Sequence, residues 1–255
     1  AWQDVPCLIQ EQNSYAGVTN RILSKVVKRI CVAYPGMERY FPEKKIVLTG
    51  NPVRKDLHEL HSKKEEALSY FRLDAGRPVL LVIGGSLGAR TVNQAVAAGL
   101  QRFVEKGVQV IWQTGKSGFE AAKQAAVGMD ASGIRVYDFI QRMDLAYAVS
   151  DLVVSRAGAS SVSEMAVAGK PSILVPSPNV AEDHQTKNAL AMVNRQAAIM
   201  VKDEQAHNRL VDESLSLIVD SQKLGQLSSN ISQLAMPDAA DSIVQEVYQL
   251  INSTR

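Results

Sequence analysis

The chain has 255 residues, 46% of them hydrophobic and 21% charged, which is enough apolar material for one large core or two smaller ones and excludes a disordered chain. A net charge of +2, with no run of basic residues to track a phosphate backbone, gives no ground for nucleic acid as a partner. The longest apolar runs, such as Val79 to Ile83, fall far short of the roughly 20 residues of a membrane span, so any membrane contact is expected to be peripheral.

Taken in chain order, Ala1-Trp2-Gln3-Asp4 passes almost at once into apolar Pro6-Cys7-Leu8-Ile9, an opening that reads as part of something longer. A strand at Cys7 to Ile9, a helix near Val18 to Val27, and strands at Ile30 to Ala33 and Ile46 to Leu48 form a small α/β piece, too small to cover both faces of its own sheet. The basic and apolar residues of Val18 to Ile30 (Arg21, Lys25, Lys28 and Arg29 beside Val18, Ile22, Leu23 and Val26) fit either a membrane-facing helix or an ordinary solvated one. Gly50-Asn51-Pro52 is a turn signal that ends this piece and precedes the polar helical stretch Asp56 to Tyr70. His58 and His61 lie there among Glu and Lys, on a solvated face.

From Val79 onward, six short strands are expected: Val79 to Ile83, Val108 to Trp112, Ile134 to Tyr137, Leu152 to Val154, Ser172 to Val175 and Ala198 to Val201. They alternate with crossover helices at Thr91 to Val104, Gly118 to Ala126, Met143 to Val149, Ser160 to Ala168 and Gln185 to Asn194. That alternation predicts a parallel α/β sheet with its ligand in the loops after the strands' carboxyl ends. Met236-Pro237-Asp238 closes this unit, and Asp238 to Ile251 reads as an amphipathic helix. The expected units are residues 1–52, 53–236 and 237–255, the last packing back toward the first. Cys7 and Cys31 sit in apolar stretches and read as buried thiols of a reducing, cytoplasmic compartment.

Three loops carry candidate chemistry. Gly84-Gly85-Ser86-Leu87-Gly88-Ala89 stands between a strand and a helix, where glycines admit a phosphate and the helix start supplies unpaired N–H donors; the same glycines would also serve tight packing alone. Ser155-Arg156-Ala157-Gly158-Ala159-Ser160-Ser161-Val162-Ser163-Glu164 repeats that context. Glu164 there could accept from both hydroxyls of a ribose, or could merely complement the helix start. The third loop, Pro176 to Gln185, holds Glu182-Asp183-His184-Gln185 before Lys187-Asn188, a polar group able to read sugar hydroxyls. No second His or Cys stands at ligand spacing near His184, so no metal is expected.

Gln10-Glu11-Gln12-Asn13, Gly50-Asn51-Pro52-Val53-Arg54, the Gly84 to Ala89 turn, Gly158 to Glu164 and Asp183 to Ala189 occur in an order that resembles the MurG glycosyltransferases over essentially the whole chain. The resemblance implies the GT-B fold: a complete C-terminal Rossmann-like domain with a parallel sheet, plus the tail end of an incomplete N-terminal one. It implies inverting transfer of N-acetylglucosamine from UDP-N-acetylglucosamine to undecaprenyl-diphospho-muramoylpentapeptide, without a cofactor, at the cytoplasmic face of the inner membrane. By matched motif, Asn13 and Arg54 would be cleft and donor contacts, Ser86 a diphosphate contact and Ile140 a backbone reader of uracil. Ala159, Ser160, Ser161, Val162, Ser163 and Glu164 would hold the donor, with Glu164 on ribose and Gln185 and Asn188 on the sugar. Position alone, ahead of the small-residue turn, nominates Arg156 to neutralise the diphosphate, and Glu11 is a candidate base whose alternative is a structural bond across the cleft. Gln10, Leu87 and His184 depart from residues common in the family. A UDP-N-acetylglucosamine 2-epimerase and a non-catalytic nucleotide-sugar-binding module are the competing expectations.

Overall fold

The computed structural model describes residues 5–57, 59–85, 88–129 and 132–252. Two parallel sheets organise them. The larger has six strands in the order β6-β5-β4-β7-β8-β9, made of β4 (Val79–Ile83), β5 (Gln109–Gln113), β6 (Ile134–Tyr137), β7 (Leu152–Ser155), β8 (Ser172–Leu174) and β9 (Ile199–Met200). Its middle strands are continuous apolar runs because helices cover both faces, and every residue of β4, β5 and β7 is buried. Alternation along β4 sends Val79, Leu81 and Ile83 to one core and Leu80 and Val82 to the other. Leu81 joins Ile111, Tyr147 and Val153 in the first; Val82 joins Trp112, Val154 and Phe103 in the second. Each such side chain contributes about 1.5–3 kcal/mol relative to exposure, so the sheet is well anchored on both sides.

The crossover helices are α3 (Arg90–Glu105), α4 (Phe119–Ala125), α5 (Met143–Val149), α6 (Ala159–Val167) and α7 (His184–Val193), preceded by α2 (Lys64–Phe71). The expected strands and crossovers agree with these to within one or two residues at each end. The stretch from Asp56 is 3-10 turns until α2 begins, and His61 in it is exposed, whereas His58 lies outside the described residues. Two further helices, α8 (Ala206–Ile218) and α9 (Ser221–Ser232), were not anticipated and cover the second core and the α6 side. Alpha3 packs so closely on α8 that a Cβ at Gly99 would lie 2.4 Å from Val211 Cγ2.

The smaller sheet, β1 (Leu8–Glu11), β2 (Arg29–Val32) and β3 (Ile46–Leu48), is parallel in that order. It encloses one modest core of Ala16, Val27, Ile30, Val32, Met37 and Phe41. The helix near Val18 is shorter than expected: α1 runs Val18–Leu23, and Arg29 belongs to β2. Of the two cysteines, Cys31 is buried and Cys7 half-buried.

The chain leaves the small sheet at Gly50 and returns toward it after Met236, and these two crossings touch. Gly50 has φ 82°, and a Cβ there would sit 2.5 Å from Met236 Cβ, so the close approach and the left-handed backbone both require glycine. The last helix, α10 (Ala239–Asn252), then places Glu246 3.2 Å from Arg29 of β2. No helix among the described residues is long and apolar enough to cross a membrane.

Candidate functional site

Strand order locates the site. Beta4 is flanked by β5 on one side and β7 on the other, so the connection after β4 runs toward β5 while that after β7 runs the other way toward β8, and a crevice opens at the carboxyl ends of β4 and β7. Ile83 pairs in register with Ser155, which brings the two small-residue loops to the same level. Each loop feeds a helix with no side-chain cap. In α3 the first turn closes with Asn93 N–H on Ala89 C=O, and in α6 with Val162 N–H on Gly158 C=O. The amides of Arg90 to Val92 and of Ala159 to Ser161 therefore precede the intrahelical ladder, at the positive ends of two helices. Such a pair suits a diphosphate.

The glycines of the first loop divide between two duties. A Cβ on Gly84 would lie 3.0 Å from Gln113 O and one on Gly88 2.7 Å from Thr114 O, so both exist for packing against the end of β5. Gly85, at φ 73°, meets nothing within 4 Å and faces open space. Ser86 lies outside the described residues.

On the other side of the crevice, Arg54 Nε donates to Glu164 Oε1 at 3.0 Å, and the buried Tyr147 hydroxyl donates to Oε2 at 3.4 Å. Each carboxylate oxygen keeps a free lone pair, the arrangement that could accept two neighbouring hydroxyls at once. Glu164 sits in the second turn of α6, held by partners from Arg54, after the chain crossing, and from α5. Burial raises the Tyr147 phenol well above its usual range and the nearby Glu164 charge adds to this, so Tyr147 remains a donor.

Several expected contacts are committed elsewhere. Arg156 donates to the carbonyls of Val175 and Pro176 and pairs with Asp203, which also receives the Thr91 hydroxyl at 2.9 Å. Its charge is thus balanced by Asp203 in this conformation, and it ties the β7 loop to α3, at the residue whose place in the sequence nominates it for the diphosphate. Asn188 is wholly buried: its Oδ1 accepts from Ser14 N–H at 2.9 Å, and its Nδ2 donates to Asn13 Oδ1 and Ala157 O. Both amide hydrogens are thus used, in this conformation, in joining the small sheet to the β7 loop, at the residue that the family resemblance expects on the sugar. Val162 is a core residue whose N–H makes the first α6 bond, and Ser163 Oγ accepts from Asn51, which leaves its O–H as the group it can offer. Ser160 is exposed and Ser161 partly so.

Gln185 accepts from Ser177 N–H at 2.9 Å and so braces its own loop through the oxygen. Ile140 is buried and its N–H donates to Gln113 Oε1, which leaves its carbonyl as the backbone group able to meet a base. Asn13 is half-buried between Glu11 and Asn188. Glu11 itself accepts four N–H bonds: Asn13 N and Nδ2 on Oε1, Gly17 N and Asn20 Nδ2 on Oε2. All four lone-pair positions are occupied, and all by residues 13–20. The carboxylate therefore organises its own turn rather than spanning the cleft, and a base role would require breaking that turn. No group of three or more His, Cys, Asp or Glu side chains able to hold a metal occurs among the described residues.

Tyr147, Gln113 and Asp203 were not singled out by sequence, and Asn51 was read there as part of a turn. Asn51 is buried, donates to Gln12 O at 2.9 Å and Ser163 Oγ at 3.1 Å, and accepts from Gln10, so the turn residue is a second bolt between the units.

Two Rossmann-like sheets joined by paired crossings, with a nucleotide-type crevice on the larger, define a GT-B glycosyltransferase. Residues 79–243 match the glycosyltransferase family 28 C-terminal domain. The chain is 54% identical over 99% of its length to the UDP-N-acetylglucosamine--N-acetylmuramyl-(pentapeptide) pyrophosphoryl-undecaprenol N-acetylglucosamine transferase of Parabacteroides distasonis, covering 68% of that protein. It superposes on the crystal structure of Acinetobacter baumannii MurG with a TM-score of 0.78 at 30% identity, covering 97% of this chain and 68% of the other. The UDP-GlcNAc 2-epimerase from Neisseria meningitidis, at 12% identity, TM-score 0.64 and 97% and 71% coverage, shares the fold alone. The chain belongs to the family of these N-acetylglucosamine transferases, and it spans about two thirds of the length of the curated relatives it matches.

Proposed function

We propose that this chain forms the UDP-N-acetylglucosamine-binding side of an inverting transferase that converts undecaprenyl-diphospho-muramoylpentapeptide to its N-acetylglucosaminyl form, a step of peptidoglycan synthesis and hence of cell-wall growth and division. The observation that carries this is the pair of uncapped helix starts at the β4/β7 switch point, with Glu164 held between Arg54 and Tyr147. As UDP leaves, the diphosphate gathers negative charge, and each helix start is worth about 0.3–2 kcal/mol to it. That term does not call for a metal. Glu164 on the ribose hydroxyls adds roughly 1.5–3 kcal/mol per charge-assisted bond, and the Ile140 carbonyl is the backbone group left for the uracil N–H. Asn13, Arg54, Gln185 and Ser86 frame the donor as the family resemblance implies.

Deprotonating the acceptor hydroxyl needs a base, and the saturated Glu11 carboxylate does not supply one. A protein of these 255 residues alone is therefore expected to bind donor and to transfer no sugar. Exposed Val18, Ile22 and Val26 lie beside exposed Arg21, Lys25 and Lys28, a combination suited to an anionic lipid surface; this supports peripheral attachment at the cytoplasmic face of the inner membrane.

The test is calorimetric titration with UDP, UDP-N-acetylglucosamine and NADH, with and without chelator, alongside radiolabelled transfer to the lipid-linked acceptor. Binding of both uridine ligands in chelator, no NADH response and no transfer are expected. NADH binding without a UDP response would overturn the donor reading, and robust transfer would return Glu11 to candidacy.

A further inference from the structure

Where the small sheet meets α7, a cleft of about 360 Å³ is lined by Tyr34, Arg39, Tyr40, Lys187 and Arg195. Its lining holds three cationic side chains and no carboxylate. Among the described residues none of the three cations forms an ion pair; each spends a donor on a backbone carbonyl, Arg39 on Ser14, Lys187 on Glu182 and Arg195 on Ala191. Aromatic faces hold two of them in place, with Arg39 4.8 Å from the Tyr40 ring centre and Lys187 Nζ 3.2 Å from that of Tyr15. Guanidinium and ammonium groups so placed retain free donors.

A second observation is independent of charge. Tyr34 is 6% exposed and its hydroxyl is buried with no hydrogen-bond partner, a costly state for a native side chain. Burial pushes this phenol well above its usual range, opposed by the nearby Arg195 charge, so it is a committed donor facing a cation and lacking an acceptor. An oxyanion seated in the cleft would give the three cations an acceptor that none of them has from a carboxylate, and Tyr34 of the same lining brings a hydroxyl that lacks one.

The cleft adjoins the donor side, because Ser14 on its rim donates to Asn188, the neighbour of Lys187. We propose that it is an oxyanion subsite for the acceptor, in which Tyr34, Arg39, Lys187 and Arg195 receive an anionic group of the incoming substrate. This rests on the transferase reading above. An acceptor of the kind named for the relatives offers two sources of that chemistry, a peptide carboxylate and a pyrophosphoryl group.

The probes are an acetylated pentapeptide with a free C-terminal carboxylate, its C-terminal amide, and inorganic diphosphate, each titrated into this chain with UDP saturating. At least one oxyanion probe is expected to bind, at least tenfold more weakly to Arg39→Met/Arg195→Met and several-fold more weakly to Tyr34→Phe. Both positions substituted to Met are exposed, and Tyr34→Phe is expected to be no less heat-stable than the parent because it deletes an unpartnered hydroxyl. Loss of binding on amidation assigns the site to carboxylate, and binding of diphosphate assigns it to phosphate; either supports the subsite. No binding by either probe, or equal binding by parent and variants, would overturn it. UDP affinity, measured separately in each variant, is expected to stay within twofold. A chain that fails to bind UDP but shows the variant-sensitive oxyanion binding would refute the donor reading and leave the subsite standing.

Discussion

In the six-stranded sheet both faces of the central strands are covered, and β4, β5 and β7 contain no exposed residue. The three-stranded sheet has a single small core, and Leu48 of β3 is 45% exposed at its edge. One unit is stabilised mainly by its own apolar burial. The other is held to it by a few buried polar side chains, Asn188 and Asn51 foremost, together with the Gly50–Met236 contact and the Arg29–Glu246 pair. The difference teaches that Asn188, which resembles a ligand contact in sequence, and the turn residue Asn51 act as bolts in this conformation. The site's precision depends on them because Arg54, which orients Glu164, follows Asn51 by only three positions.

The largest effect should come from Asn188→Ala. It strands the Ser14 N–H and the Ala157 carbonyl, at about 1–3 kcal/mol for each buried group left unpaired, and removes the partner of the half-buried Asn13 Oδ1. Hydrogen exchange should show protection lost across Leu8–Val32 while Val79–Ser155 stays protected; uniform loss in both would break the contrast between the units.

Asp144→Asn should cost about 1–3 kcal/mol, and only within the larger unit, because it removes the charge of a buried carboxylate bonded to Arg142 at 2.9 Å and Lys63 at 3.0 Å and puts an amide NH2 against one of these donors. Those cations, Arg142 first, hold the carboxyl well below its ordinary range. A depressed folded-state pKa stabilises the protein fully above the unfolded value, and that contribution is lost as pH falls through the folded one. Denaturation midpoints should thus fall with acid in the parent from about pH 4 downward, and less steeply in Asp144→Asn.

Gly99→Ala should follow at roughly 1–3 kcal/mol, since the added methyl must displace Val211 at the α3–α8 contact; a thermal melt checks it. The smallest stability effect is expected from Ile22→Ser/Val26→Ser, whose side chains are 62% and 52% exposed, within about 0.5 kcal/mol. Sedimentation with anionic vesicles should nevertheless fall for that variant. Unchanged vesicle binding would remove α1 and the turn after it from the membrane proposal.

Legibility in the sequence followed the same division. Apolar runs such as Val79 to Ile83, bounded by glycine, showed the strands of the complete sheet because local pattern and burial agree there. Alpha1 is shorter than its apolar pattern because its end is set by tertiary contact: Lys45, from just before β3, donates to the carbonyls of Ser24 and Lys25, and the i to i−4 ladder gives way to i to i−3 bonds at Lys25 and Val26. Alpha8 carries a readable signal in Leu210, Val211, Leu217 and Ile218, which repeat at helical spacing and are buried. In the site, motif order located Glu164 and the two helix starts. It did not distinguish groups left free from groups already bonded, since the partners of Arg156, Glu164 and Asn188 lie 17 to 175 residues away.

The direct measurement is titration of parent and Glu164→Gln with UDP and with its 2′,3′-dideoxyribose analogue. If Glu164, presented by Arg54 and Tyr147, receives the ribose hydroxyls, the substitution weakens UDP by about tenfold or more and the analogue little. Equal weakening of both ligands would contradict this and reduce Glu164 to a complement of its helix end.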